Sequence, residues 1–62
     1  MKHTEAQYIN LGFKYERATS PQAGQAAAQA IRTLLEAETI ADRTQARYLV
    51  ERGRQEARGV SA

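Results

Sequence analysis

The sequence predicts a small all-α protein: one domain holding a helical hairpin or a three-helix arrangement. Three observations carry this expectation. Two helix-start signals stand in the first third of the chain, Thr4-x-x-Gln7 in the S/T-x-x-E/Q capping-box pattern and Ser20 followed by Pro21. Twelve of the 62 residues are alanine, the strongest helix former. From residue 21 to 57 the apolar residues recur with a helical period and do not alternate.

The first element starts at the Thr4 signal and is expected over about 4–18. On a helix, Tyr8, Leu11, Gly12 and Tyr15 share a face. A strand over "YINLGFKYE" is the alternative. There Ile9, Leu11, Phe13 and Tyr15 alternate with Asn10, Gly12, Lys14 and Glu16, and the aromatics favour extended chain. No second strand is legible, so such a strand would have to pair with another molecule. The capping signal favours the helix.

Each reading brings a resemblance. The Tyr8-x-x-Leu11-Gly12-x-x-Tyr15 spacing resembles the first helix of a tetratricopeptide repeat, with Tyr8 at the usual Trp position. That resemblance implies a helical hairpin in which the glycine admits the second helix. It covers one helix only. The second helix offers Gly24 and Ala28 where that family prefers Ala and a large aromatic, and no second repeat follows. A strand followed by two helices is similar to the ribbon-helix-helix repressors, which would imply a dimer reading the DNA major groove with Asn10, Gly12 and Lys14. Residues 16–20 make a longer link than that family uses, and its glycine turn between helices is missing.

The second element is expected over about 20–37, with Ser20 as N-cap and Pro21 at the first helical position, where its missing N–H is harmless. Ala23, Ala27, Ala30, Ile31, Leu34 and Ala37 fall on one face. Gln22, Gln25, Gln29, Arg32, Thr33 and Glu36 fall opposite. The third is expected over about 42–57, with Ala46, Leu49, Val50, Gly53 and Ala57 on its apolar stripe. Projected on one continuous helix, this stripe is rotated about 100° from the preceding one, whereas a strict heptad seam drifts only about 20° per heptad. A break near 38–42 follows, with Asp42 and Gln45 as its cap. No Gly or Pro enforces the break, so one long bent helix stays open. The packing or dimer face is therefore Leu11, Tyr15, Ala27, Ile31, Leu34, Ala46, Leu49, Val50, Gly53 and Ala57. Residues 1–3 and 59–62 are expected to be disordered.

Composition bounds the rest. The large apolar side chains are few, and a chain this short buries only about 60% of the surface it exposes when unfolded. There is no cysteine to reinforce it. A homo-oligomer or a protein partner is the ordinary remedy. The N-terminus lacks the apolar run of a signal peptide, and nothing approaches the roughly 20 apolar residues of a membrane span, so a cytoplasmic protein without a membrane partner is expected.

Catalysis is not expected. His3 is the single histidine and is read as a solvated terminal residue. Ser20 and Ser61 lack a base. Glu36, Glu38 and Asp42 are read as a solvated acidic face, since Glu36 and Glu38 point about 200° apart on a helix and no Glu-x-x-His motif accompanies them. The glycines make no phosphate loop. No catalytic residue, cofactor, metal or small-molecule substrate is expected.

The informative feature is charge placement. The net charge is only +2, yet five of the nine basic side chains lie between Arg43 and Arg58. Arg43, Arg47, Arg54 and Arg58 fall within about 60° of one another beside the apolar stripe, with Arg52 off this line and Tyr48 farther round. Arg47–Glu51 and Arg52–Glu56 are i,i+4 pairs that suit a solvated helix. Like-charge stacking of Arg43 on Arg47 and Arg54 on Arg58 is not explained that way. Arg43, Arg47, Tyr48, Arg52, Arg54 and Arg58 are therefore the candidate partner surface, for protein or for nucleic acid. The expected function is that of a small non-catalytic regulator, inhibitor or adaptor working by protein–protein contact. A dimeric DNA-binding regulator and a structural subunit of a larger assembly are the alternatives.

Overall fold

The computed structural model describes residues 1–59, and the helix-start signals reappear in it as capped helices. Helix α1 spans Glu5–Glu16, α2 spans Pro21–Glu36 and α3 spans Ile40–Ala57. At α1 the capping box closes in both directions: Thr4 Oγ1 accepts the Gln7 N–H at 3.2 Å and Gln7 Oε1 accepts the Thr4 N–H at 2.8 Å. At α2 the Ser20 hydroxyl accepts the Ala23 N–H at 3.1 Å, with Pro21 opening the helix.

Among the described residues there is no strand. The extended reading of 8–16, and with it the ribbon-helix-helix dimer, is overturned. A lone strand leaves its backbone groups without partners, whereas the capped helix satisfies them internally. Asn10 and Lys14 stay on the exposed side, while Gly12, the middle residue of the supposed DNA-reading row, is buried.

The helix boundary before α3 also differs from expectation. The chain breaks over residues 37–39, so α2 and α3 are separate helices. The cap is Thr39, whose side chain accepts the Asp42 N–H at 3.2 Å. Asp42 falls instead in the first turn, where its carboxylate complements the positive end of the helix dipole. At the far end Gly59 takes φ +82° and closes α3, a backbone conformation that suits glycine. The expectation for the remainder of the tail lies outside the described residues.

Helix α1 packs chiefly on α3, and two glycines decide how. Gly12 lies against the Val50 carbonyl of α3, and Gly53 lies against the Ile9 carbonyl and the Phe13 N–H of α1. A Cβ at either position would sit inside the opposing backbone. Gly12 thus has the role the tetratricopeptide-like spacing implies, but it admits the third helix and not the second. Around this crossing Tyr8, Ala46, Leu49 and Val50 form the buried core, with Ile9, Ile31, Leu34 and Leu35 packed against it.

Helix α2 is held differently. It leans on α1 and touches α3 only sparsely. Although its apolar stripe is the cleanest in the chain, it contributes no fully buried residue. Of the expected packing face, Ala46, Leu49, Val50 and Gly53 are buried; Leu11, Ala27, Ile31, Leu34 and Ala57 are half-buried. Tyr15 is 37% exposed and is not a core residue. The body is flat, 31 × 28 × 14 Å, which leaves faces uncovered. No described helix is long and apolar enough to cross a membrane.

Candidate functional site

Two places concentrate polar chemistry. The first is Glu38, in the turn between α2 and α3. It is buried, and it overturns the expectation of a solvated acidic face at that residue. Its carboxylate accepts the Lys2 N–H at 2.8 Å, the His3 N–H at 3.2 Å and the Tyr8 hydroxyl at 2.7 Å. The Lys2 N–H, then the Tyr8 hydroxyl and the His3 N–H hold its pKa down at about 2. Burial, together with the adjoining carboxylate, pushes the Tyr8 hydroxyl well above the usual tyrosine range. The hydroxyl also lies 3.2 Å from the Leu34 carbonyl, but its one proton goes to the nearer carboxylate. Residues 1–3, expected to fray, are laid over the turn by these bonds. His3 is half-buried and meets the Tyr8 ring edge-on with centroids 6.0 Å apart.

This arrangement fastens the turn to the N-terminal residues and to α1. The carboxylate is ionised at neutral pH and accepts three donors, and the phenol keeps its proton. Among the described residues no three His, Cys, Asp or Glu side chains gather where a metal ion could be held. One sequence signal does point to Glu38. Tyr8 lies on the inward face of its helix, and a buried tyrosine needs an acceptor for its hydroxyl. The helix break is where such an acceptor can turn inward.

The second place is the arginine stripe of α3, and the structure divides it. Arg43 turns back on α2, its Nε donating to the Leu35 carbonyl at 3.0 Å and its Nη2 to the Glu38 carbonyl at 3.2 Å. It thereby adds a second donor to the Leu35 carbonyl, which also accepts the Glu38 N–H at 3.1 Å, and gives a donor to the Glu38 carbonyl in the turn. Arg54 and Arg58 reach α1 and share Glu16, at 3.0 and 3.1 Å. Both also approach Glu51, at 3.4 and 3.9 Å. The Arg54 guanidinium lies 5.2 Å from the centre of the Tyr15 ring. Arg58 first, and Arg54 with it, hold the Glu16 carboxyl below its usual range. The unexplained stacking of Arg54 on Arg58 is thus a clamp on one carboxylate from another helix. Sequence reasoning missed Glu16 because its partners stand 38 and 42 residues away.

The i,i+4 pairs divide as well. Arg52–Glu56 forms at 3.5 Å. Among the described ion pairs Arg47–Glu51 does not appear, because Glu51 turns to Arg54 and Arg58. Arg47 is exposed and has no side-chain hydrogen bond or ion pair among the described residues. Tyr48 is 62% exposed on the outer face, beside Arg52.

Beside Arg47 the sparse α2–α3 contact leaves a groove of about 220 Å³. Ala28, Ile31 and Leu35 of α2, Val50 of α3 and Tyr15 of α1 line it, with Arg47, Glu51 and Arg54 along its α3 edge. It continues past Leu35 between Arg32 and Glu36 on one side and Arg43 and Arg47 on the other. Small-molecule pockets run to about 300–1,000 Å³ and enclose most of their ligand. With its continuation of about 370 Å³ this groove reaches that size, but it is open, with an apolar floor and a charged border. Ala28, Arg32 and Glu36 were outside the expected partner surface, because their relation to the stripe depends on how far α2 stands off α3.

Compared with protein-family models, with curated proteins and with solved structures, the chain matches none.

Proposed function

We propose that this chain is a small non-catalytic regulator or adaptor that acts by protein–protein contact through the groove between α2 and α3. The observation that carries this reading is the mismatch in α2. A sixteen-residue helix with a well-segregated apolar face has no fully buried residue. Amphipathic helices derive most of their stability from covering that face. Ile31 and Leu35 reach the floor of the groove half-covered, beside an exposed Ala28.

Binding of nucleic acid through the arginine stripe has less support. Phosphate contacts need uncommitted cations in a row. Arg54 and Arg58 are engaged by Glu16, and Glu36 and Glu51 stand on the groove's border.

A photo-crosslinking residue at position 28 or 47, introduced in the native host, tests the reading. The expected result is a discrete crosslinked protein from these two positions and none from position 45 or 52 on the outer face of α3. Equal labelling from all four positions, or crosslinks to nucleic acid, refutes it.

A further inference from the structure

The groove's border also indicates what the partner carries. We infer that it accepts an acidic amphipathic helix from another protein, with carboxylates flanking both edges of that helix's apolar stripe. This rests on the groove being the binding surface.

The shape argument comes first. Ala28, Ile31 and Leu35 stand at i, i+3 and i+7 along α2, with Val50 facing them from α3. Two helices that stand apart over an apolar floor accept a third helix, which anchors through side chains at the same spacing. The small Ala28 leaves room for a large side chain there.

Charge then selects the occupant. Arg32, Arg43, Arg47 and Arg54 border the groove. Arg54 is matched by Glu16 and Glu51. Arg43 donates only to neutral carbonyls, so its charge is not compensated. Arg32 and Arg47 have no acidic partner among the described residues. Against these three cations stands Glu36. The cations flank the floor from both walls, Arg32 from α2 and Arg43 and Arg47 from α3, which is why acids are expected on both edges of the ligand. A second copy of this chain is disfavoured by the same feature. A two-fold interface sets a patch against itself and would bring the Arg47 edge of one copy to the positive border of the other. A phosphate backbone offers nothing apolar to cover Ile31 and Leu35.

The test is a display library of 20-residue helical sequences, selected on the immobilised full chain at physiological ionic strength. Enriched sequences are then measured on the wild type, on Arg32→Glu/Arg47→Glu and on Ala28→Asp. All three positions are exposed, and circular dichroism checks that each variant keeps its helices. The expected sequences carry apolar residues at i, i+3 or i+4, and i+7 with Asp or Glu on both edges. They lose tenfold or more in affinity on both variants and bind more weakly as salt is raised. Enriched sequences with neutral or basic edges, unaffected by the charge reversal but abolished by Ala28→Asp, overturn the acidic partner and leave the groove reading standing. Binding unaffected by either variant overturns both. A dimer in sedimentation that Ala28→Asp dissolves assigns the groove to a second copy and overturns the inference.

Discussion

Where α1 meets α3, two glycines let backbone rest on backbone; where α2 faces α3, side chains hold the helices apart and a groove remains. The contrast reverses what amphipathicity alone suggests. Helix α2 has the cleaner apolar stripe and no fully buried residue. Helix α3 is more polar, yet buries Ala46, Leu49, Val50 and Gly53. A stripe states which side of a helix prefers cover. How closely another helix can come decides how much cover it gets, and here glycine sets that distance.

The largest expected effect attacks the close contact. Gly53→Ala or Gly12→Ala drives a methyl into the opposing backbone. Overpacking of this kind costs about 3 kcal/mol, which exceeds the roughly 1 kcal/mol that alanine gains inside a helix. For a domain of this size the melting temperature falls by roughly 10 °C or more, read by circular dichroism. An unchanged or raised melting temperature would show that the two helices do not touch there.

Tyr8→Phe is next. It keeps the ring in the core and removes one donor from the buried Glu38 carboxylate. A loss of about 1–2 kcal/mol in denaturant unfolding is expected, without a change in helix content.

Acid gives a related effect with a defined window. Glu38 is held at about 2 in the folded chain, and an unfolded glutamate titrates near ~4.3. The unfolded state therefore takes the proton first. The carboxylate's contribution is complete above the unfolded value and is lost as pH falls from there toward about 2. Melting temperatures of wild type and Glu38→Gln should converge across that window. Parallel curves would mean that the carboxylate is not fastened as described.

The smallest effect has the opposite sign and sharpens the comparison. At Gly24 in α2 an added Cβ meets nothing closer than the Ala18 Cβ at 3.9 Å. Gly24→Ala should raise stability by about 0.5–1 kcal/mol. One substitution, glycine to alanine, thus destabilises the α1–α3 contact and stabilises α2.

The helices and their starts at Thr4 and Ser20 were legible in the sequence because caps are local chemistry. The break before α3 followed from the rotation between two stripes, although its cap is Thr39 and not Asp42. Helical projection does not say which neighbour arrives at Tyr15: the intrachain crossing is centred on Gly12, and Tyr15 stays partly exposed beside Arg54. The arginine stripe was visible as a stripe, but its division was not. Glu16 binds Arg54 and Arg58 across the fold, and Arg43 turns to the end of α2, so only the tertiary arrangement singles out Arg47.

Arg43 stands at the elbow between α2 and α3, where it grips the Leu35 and Glu38 carbonyls, and it also lines the groove. The two walls are therefore tied together at their shared end as well as through the side chains between them. A carboxylate that drew Arg43 away would take the donor from the Glu38 carbonyl, whereas one that met Arg47 or Arg32 would break no bond of the fold. The same face thus holds two kinds of cation for an arriving ligand: ones with no internal duty, and one already engaged in holding the turn.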